Sequence, residues 1–352
     1  MIANFEGSVP APPAASYPGE RWPLVSILIP VFRRVTFLCG AIESILAQNY
    51  PNKEVIVLED GSREAEDVIR QFGDDVRYIW QPNQGVAAAR NTAAQAARGA
   101  WIALLDEDDI WLPEKLMRQM ELVSRFPSLG VVHTNYFWLR SDTPEERPFP
   151  LVASVPSGWV TRELFLERFS LLPSSAVIRK DYFHRVGGFN PAYRLVDDYD
   201  FWLRLSHHCQ FGYLATPLTL YRVDSQGGSS DRQRTALENV AIRHAFLRAN
   251  PELCRTWPRH LVNNALHRVH LTCARRHLWA DDIATARAHF FKAWTWKPSH
   301  LGSLVYGLAC LAGPIAVRPL RAIMRYLRRS AAIETATGHA ADESTRAEPR
   351  RQ

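Results

Sequence analysis

From Val25 onward, short apolar runs alternate with amphipathic stretches. Residues 25–30 (VSILIP), 54–58 (EVIVL), 76–80 (VRYIW) and 101–105 (WIALL) each have the length and β-branched content of a buried strand. Between the first two, residues 37–48 place Leu38, Ala41, Ile42, Ile45 and Leu46 on one helical face. Residues 86–98 are Ala-rich and helical, with Gly99 as the stop. Strands separated regularly by helices predict a parallel sheet with right-handed crossovers. Residues 131–230 are less regular, punctuated by Pro173, Gly187-Gly188 and Gly227-Gly228. Beyond Asp231 the periodicity is helical over 237–248, 260–277 and 281–294. The expected organisation is a flexible Pro/Ala-rich arm over 1–22, an α/β domain over 23–230, a helical region over 231–330 and a disordered tail over 331–352. The arm has neither the basic nor the apolar region of a signal peptide.

Composition adds limits to this outline. With 352 residues, 47% hydrophobic and 22% charged, the chain is long and apolar enough for a sizeable core. Its five cysteines are odd in number, widely spaced and free of any C-x-x-C pair, which argues against a disulfide framework or a structural zinc site and fits a reducing compartment. The net charge of +6 conceals two opposite parts. Residues 1–230 carry 22 basic and 27 acidic side chains, and residues 231–352 carry 20 and 9, so the parts stand at −5 and +11. A nucleic-acid binder would be basic throughout. The division instead suggests an acidic body suited to a metal and a basic segment facing something anionic.

The chemistry concentrates where strands end, which is where open parallel sheets bind ligands. Asp106-Glu107-Asp108-Asp109 follows the fourth strand directly, and four adjacent carboxylates repel one another unless a cation neutralises them. In an extended segment Asp106 and Asp108 point to one side, and their hard oxygens suit Mg2+ or Mn2+. The plainer alternative is a solvated acidic loop leading into a helix near Pro113. Asp60 follows the second strand, placed to accept hydrogen bonds from a ribose or base edge, or to serve as an ordinary turn residue before Gly61. Arg90, within NQGVAAARN, projects toward a diphosphate or caps a carboxylate such as Asp60 or Asp106. Asp197, Asp198 and Asp200 form a second acidic group, in which a carboxylate beside another acid suits a general base and equally a helix N-terminus.

Taken together, these segments resemble family 2 glycosyltransferases. The matching pieces run in the family's order: SILIPVF (26–32), VLEDGS (57–62), NQGVAAARN (83–91), LLDEDDIWLPEKL (104–116), GGFNP (187–191), DDYDFWLRL (197–205) and YR (221–222). The resemblance covers about residues 25–230. It implies the glycosyltransferase-A fold, an α/β class with a mostly parallel Rossmann-like sheet flanked by helices, here followed by a C-terminal α-helical appendage. It further implies that Pro30 and Phe32 line a base pocket and that Asp60 binds the base or ribose. Arg90 would face the nucleotide side of the donor, and Asp106 and Asp108 would form the metal-binding D-x-D motif. Asp198 would be the catalytic base, with Asp197 beside it in place of the family's usual Glu. The implied reaction is inverting, metal-dependent transfer of a sugar from a nucleoside-diphosphate sugar, a UDP-sugar being favoured, to a hydroxyl acceptor such as a lipid-linked glycan. The setting would be cell-surface polysaccharide or glycolipid synthesis. Three departures stand out: Arg33 follows the aromatic residue, Glu59 replaces the first Asp of Asp-Asp-Gly-Ser, and Asp224 sits where relatives carry a His.

Two other readings compete. One is a catalytically inactive nucleotide-sugar-binding protein; the other is a membrane-surface scaffold. A nicotinamide oxidoreductase is disfavoured, because no G-x-G-x-x-G follows the first strand. Residues 301–317 lack any charged side chain, and Arg318, Arg321, Arg325 and Arg328 follow at helical spacing. That pattern reads as an interfacial anchor or as a helix packed on the catalytic body. The expected location is cytoplasmic, peripheral on the cytoplasmic face of the inner membrane if the segment is an anchor.

Overall fold

The computed structural model describes residues 22–140, 146–148, 155–223, 231–313, 316, 317 and 319. The arm up to residue 21, the tail, Asp224, Gly227-Gly228 and the Arg318–Arg328 series all lie outside these residues, whereas Trp22 at the arm's end packs against the core. The strands are β1 (Val25–Val31), β2 (Lys53–Asp60), β3 (Val76–Gln81), β4 (Trp101–Leu104), β5 (Ile110–Trp111), β6 (Leu129–Arg140), β7 (Glu146–Pro148), β8 (Ala176–Arg179) and β9 (Gln210–Val223). The first helices are α1 (Leu38–Leu46), α2 (Ala65–Arg70), α3 (Val86–Ala96), α4 (Lys115–Arg125), α5 (Thr161–Phe165), α6 (Lys180–Arg185) and α7 (Asp197–Ser206). They are followed by α8 (Arg232–Ala249), α9 (Pro251–Arg255), α10 (Arg259–Trp279), α11 (Ile283–Trp296) and α12 (Leu301–Leu311).

One sheet runs in the order β3-β2-β1-β4-β8-β6-β9-β5, with β7 beside β6. The first four strands are parallel, as the alternating pattern predicts. β1 is buried along its whole length because it sits between β2 and β4 with side chains covered on both faces. This is why its sequence is a continuous apolar run. On one side its residues join Leu38, Ala41, Ile42 and Ile45 of α1 and Leu116, Met120 and Val123 of α4 in the main core. Beyond β4 the sheet becomes mixed. β8 runs antiparallel to β4 and β6, whereas β6 and β9 pair in parallel.

The described residues divide into two compact units, one within Met1–Ser230 and Ile242–Cys254, the other within Asp231–Ala241 and Arg255–Gln352. The first unit therefore reaches past the expected boundary at residue 230. The reason is packing: Ile242 and Phe246 are buried, the Phe246 ring lies 6.3 Å from that of Phe165, and Arg243 pairs with Glu167. The second unit has its own core, in which Leu271, Ala274 and Leu278 of α10 meet Ala286, Phe290 and Ala293 of α11 and Cys310 of α12. Among the described residues no helix is long and apolar enough to cross a membrane.

Candidate active site

The parallel half of the sheet aims its strand ends at a cleft of about 480 Å³ within the first unit. Asp106, Glu107 and Asp108 line it from the turn after β4, Asp197 and Asp198 from the first turn of α7, and Arg90 from α3. Arg34, Arg194 and Arg222 complete its charged wall.

Arg90 ties the two acidic groups together. Its guanidinium donates to Asp106 at 2.6 Å and to Asp197 at 3.2 Å, and it lies 5.1 Å from the centre of the Phe189 ring. Burial opposes its charge, yet the carboxylates of Asp106 and Asp197 outweigh that and push its pKa upward. Arg90 therefore caps carboxylates, those of Asp106 and Asp197. Behind Arg90 the next residue acts as a clasp. Asn91 donates to the Phe189 carbonyl and accepts from the Phe189 N–H, both at 2.8 Å. Gly188 has φ +71°, and a Cβ there would fall 2.3 Å from the Asn91 side-chain oxygen. The glycines of GGFNP thus permit the approach that seats Phe189 beneath Arg90.

The acidic turn carries more negative charge than its surroundings neutralise. Burial and then the charges of Asp106 and Asp108 raise the Glu107 carboxyl to about 8. Asp108 moves upward through burial and then the Asp106 charge, opposed by Arg34 at 3.2 Å. Asp109 is fully buried and raised well above the ordinary range, first by burial and then by Asp106; one of its oxygens accepts the Arg222 N–H at 2.9 Å and the other has no partner among the described residues. Among the described residues no group of three or more His, Cys, Asp or Glu side chains forms a ready-made metal cage. A donor set of two carboxylates suits Mg2+ or Mn2+, which keep waters and take further oxygens from a substrate diphosphate. The upward-shifted acids fit such an ion, since a dication would relieve their repulsion.

At the start of α7 the two neighbours differ. Asp197 is buried and held by Arg90, whereas Asp198 is only partly covered and faces the cleft. Burial, followed by the Asp197 charge, pushes the Asp198 carboxyl up to about 7, against the pull of Arg90. Asp198 also accepts the Tyr199 N–H at 2.7 Å, so it meets the helix N-terminus while remaining available.

The remaining expected residues lie at the other strand ends. Asp60 is buried, and its carboxylate accepts from Gln81 at 2.7 Å, from the Gln84 N–H at 2.9 Å and from the Gly85 N–H at 2.7 Å. It therefore shapes the loop that leads into α3. Gly61 follows with φ +106°, where a Cβ would lie 2.6 Å from that of Asn83. Glu59 is buried and accepts from Ser62, Tyr78 and the Ala65 N–H, which makes it the anchor of the turn before α2. Pro30 is buried in β1, and Phe32 is exposed just beyond it with the Arg33 guanidinium 4.9 Å over its ring. Pro30, Phe32 and Asp60 are not among the residues lining the 480 Å³ cleft.

Several participants carry little signal in the sequence. Ser174 accepts the Asp106 N–H at 3.1 Å, and its carbonyl accepts from the Trp111 indole at 2.7 Å. Arg222 donates to the Asp108 carbonyl at 3.0 Å and lies 4.0 Å over the Phe37 ring. The Tyr-Arg pair at 221–222 was the one sign of it; nothing local marks Ser174.

Comparison with known proteins bears on the family and the fold. The sequence profile described as Glycosyl transferase family 2 matches residues 26–187. Two relatives described as uncharacterized glycosyltransferases are a Rickettsia felis protein, 30% identical over 59% of this chain and 35% of its own length, and a Haemophilus influenzae protein, 28% identical over 53% and 64%. The chain thus spans less than two thirds of these relatives. Among solved structures, S. aureus TarS 1-349 in complex with UDP superposes with a TM-score of 0.59 at 13% identity, over 82% of this chain and 92% of that one. The mannosyltransferase PcManGT from Pyrobaculum calidifontis, in complex with GDP-Man and Mn2+, gives 0.53 at 19% identity, over 93% and 90%. At these identities the structures bear on the fold, and they carry the glycosyltransferase-A arrangement. Residues 26–187 of the chain thus carry a glycosyl transferase family 2 domain.

Proposed function

We propose that the protein transfers a sugar from a nucleoside-diphosphate sugar to a hydroxyl acceptor with inversion at the anomeric carbon. The observation that carries this reading is the Asp106–Arg90–Asp197 bridge, which sets a partly exposed Asp198, titrating at about 7, across the cleft from the acidic turn. Asp198 takes the proton from the acceptor hydroxyl as that oxygen attacks, a role that needs a carboxylate poised near the working pH. Arg34, Arg194 and Arg222 offer cationic groups for the leaving diphosphate. Arg90 works as a positioning residue that fixes both carboxylates. Asp106 and Asp108 would hold Mg2+ or Mn2+, which when bound supplies neutralisation of the charge growing on the leaving group. Phe32, Pro30 and Asp60 remain the proposed surroundings of the base.

A UDP-sugar is the favoured donor, supported by the family resemblance and by the UDP and UDP-GlcNAc complexes of TarS. The GDP-Man complex of PcManGT makes a guanosine donor the natural comparison. A role in polysaccharide or glycolipid synthesis, at the cytoplasmic face of a membrane, is part of the proposal. It is supported by α12, which exposes Leu301, Val305, Leu308 and Leu311 along one face just before the basic series. The test is nucleotide release from UDP- and GDP-sugars in the presence of Mn2+. Turnover in wild type that is abolished by Asp198→Asn, and that Asp108→Ala lowers at the Mn2+ concentration saturating wild type, supports the reading. Nucleotide binding without turnover in wild type would establish the inactive binding protein instead.

A further inference from the structure

Next to the cleft lies a second cavity, of about 50 Å³, within the same unit. Leu172 lines both, and Tyr136 of the small cavity meets Tyr221 of the cleft edge-on, with ring centres 5.9 Å apart. Its position is set by an irregularity in the sheet. β6 pairs with β9, but the register slips between Thr134 and Asn135 and again between Asn135 and Tyr136. Such slips re-aim side chains, and they recur beside active sites.

Two of the side chains lining the cavity, one just before the slips and one between them, are polar and nearly fully buried. His133 is 3% exposed and Asn135 is 4% exposed. The His133 Nε2 and the Asn135 Nδ2 have no hydrogen-bond partner among the described residues. Leaving a buried donor or acceptor unpaired costs about 1–3 kcal/mol, so a fold with two of them facing one cavity stands to gain from a ligand that pairs both. The rest of the lining is aromatic or hydroxylic: Phe169 stacks on His133 at 6.0 Å, Tyr213 lies 5.0 Å from it, and Ser170 borders the space. Among the described residues no Asp, Glu, Lys or Arg lines the cavity. Burial pushes the His133 imidazole down to about 3, so it too is uncharged at neutral pH.

An uncharged cavity with aromatic walls and two idle hydrogen-bonding groups does not match a phosphate or a lipid headgroup. It matches a carbohydrate, whose C–H faces pack on rings and whose hydroxyls or amides pair with neutral groups. The volume exceeds what one water requires, about 10–15 Å³, and suits a single substituent of a sugar ring. We infer that this cavity seats a neutral hydroxyl- or amide-bearing substituent of the acceptor sugar, with His133 and Asn135 as its hydrogen-bonding partners. The inference rests on the transferase reading of the neighbouring cleft.

The experiment is ligand-observed NMR with methyl β-glucoside and methyl N-acetyl-β-glucosaminide on the full chain, with UDP and Mn2+ and again without them. Wild type is compared with His133→Phe, which keeps the stack on Phe169, and with Asn135→Leu. At least one glycoside should bind wild type, and each variant should weaken that binding tenfold or more while retaining wild-type affinity for UDP. Two results overturn the inference: neither glycoside binds wild type, or a UDP-binding variant binds the glycoside as wild type does, leaving a structural water as the occupant. Failure of wild type to bind UDP faults the donor reading separately, since the glycoside arm without nucleotide still decides the cavity.

Discussion

The upward shift of Asp198 makes the pH profile the most demanding test of the proposed base. A carboxyl titrating at about 7 is about one-tenth ionised at pH 6 and about nine-tenths ionised at pH 8. If the ionised form removes the acceptor proton, kcat/KM for nucleotide release should climb close to tenfold across that interval and level off above it. Asp197 and Asp198 are adjacent acids, so the limb belongs to the pair until a variant separates them. Asp197→Asn does so. It removes the neighbouring negative charge that raises Asp198 while leaving Arg90, whose charge lowers it, so the limb should move to lower pH. Folding stability should run the other way. Between about pH 4 and 7 the folded Asp198 keeps a proton that the unfolded chain has released, so this group removes stability as pH rises, by at most about 1.4 kcal/mol per pH unit. The partial exposure of its side chain makes the true slope smaller. Relative to wild type, Asp198→Asn should therefore gain stability in urea as pH rises through that window while losing activity. A limb that stays in place in Asp197→Asn, or a wild-type profile flat from pH 6 to 8, would refute the reasoning.

Three further outcomes follow from the bridge and the acidic turn. Arg90→Met leaves two carboxylates around a buried, cation-free gap and should lower unfolding free energy by about 3 kcal/mol in urea titrations; a loss below about 1 kcal/mol would show that the bridge is not structural. Asn91→Ala opens both hydrogen bonds to the Phe189 main chain and should cost about 2–3 kcal/mol by the same measurement, with an unchanged midpoint counting against the clasp. Asp108→Ala removes one of two proposed metal ligands, so the Mn2+ concentration giving half-maximal nucleotide release should rise at least tenfold; an unaltered titration curve would remove Asp108 from the shell.

What could be read along the chain was set by how each element meets its neighbours. β1, β2 and β4 are covered on both faces and so appear as unbroken apolar runs, while α1 shows a 3.6-residue period because one face alone is buried. β6 offers neither signal. It lies between β8 and β9, its register slips, and its buried centre is His133-Thr134-Asn135, which no hydrophobic pattern marks as a strand interior. The site divides along the same line. Asp106, Asp108 and Asp198 are legible because charge after a strand or at a helix start is conspicuous. Their arrangement is not, because it depends on pairings over long separations: Arg90 reaches Asp197 across 107 positions, Asn91 reaches Phe189 across 98, and Ser174 reaches Asp106 across 68. Each pairing becomes possible only when the antiparallel β8 closes onto β4 and brings the 173–175 turn and the chain beyond it back to the parallel strand ends. The charged motifs therefore mark the groups proposed for the chemistry, whereas the neutral residues among them, Asn91, Gly188, Phe189 and Ser174, hold those groups in register. Substituting the neutral set should impair the site through stability and geometry, and substituting Asp198 should impair it through proton transfer alone.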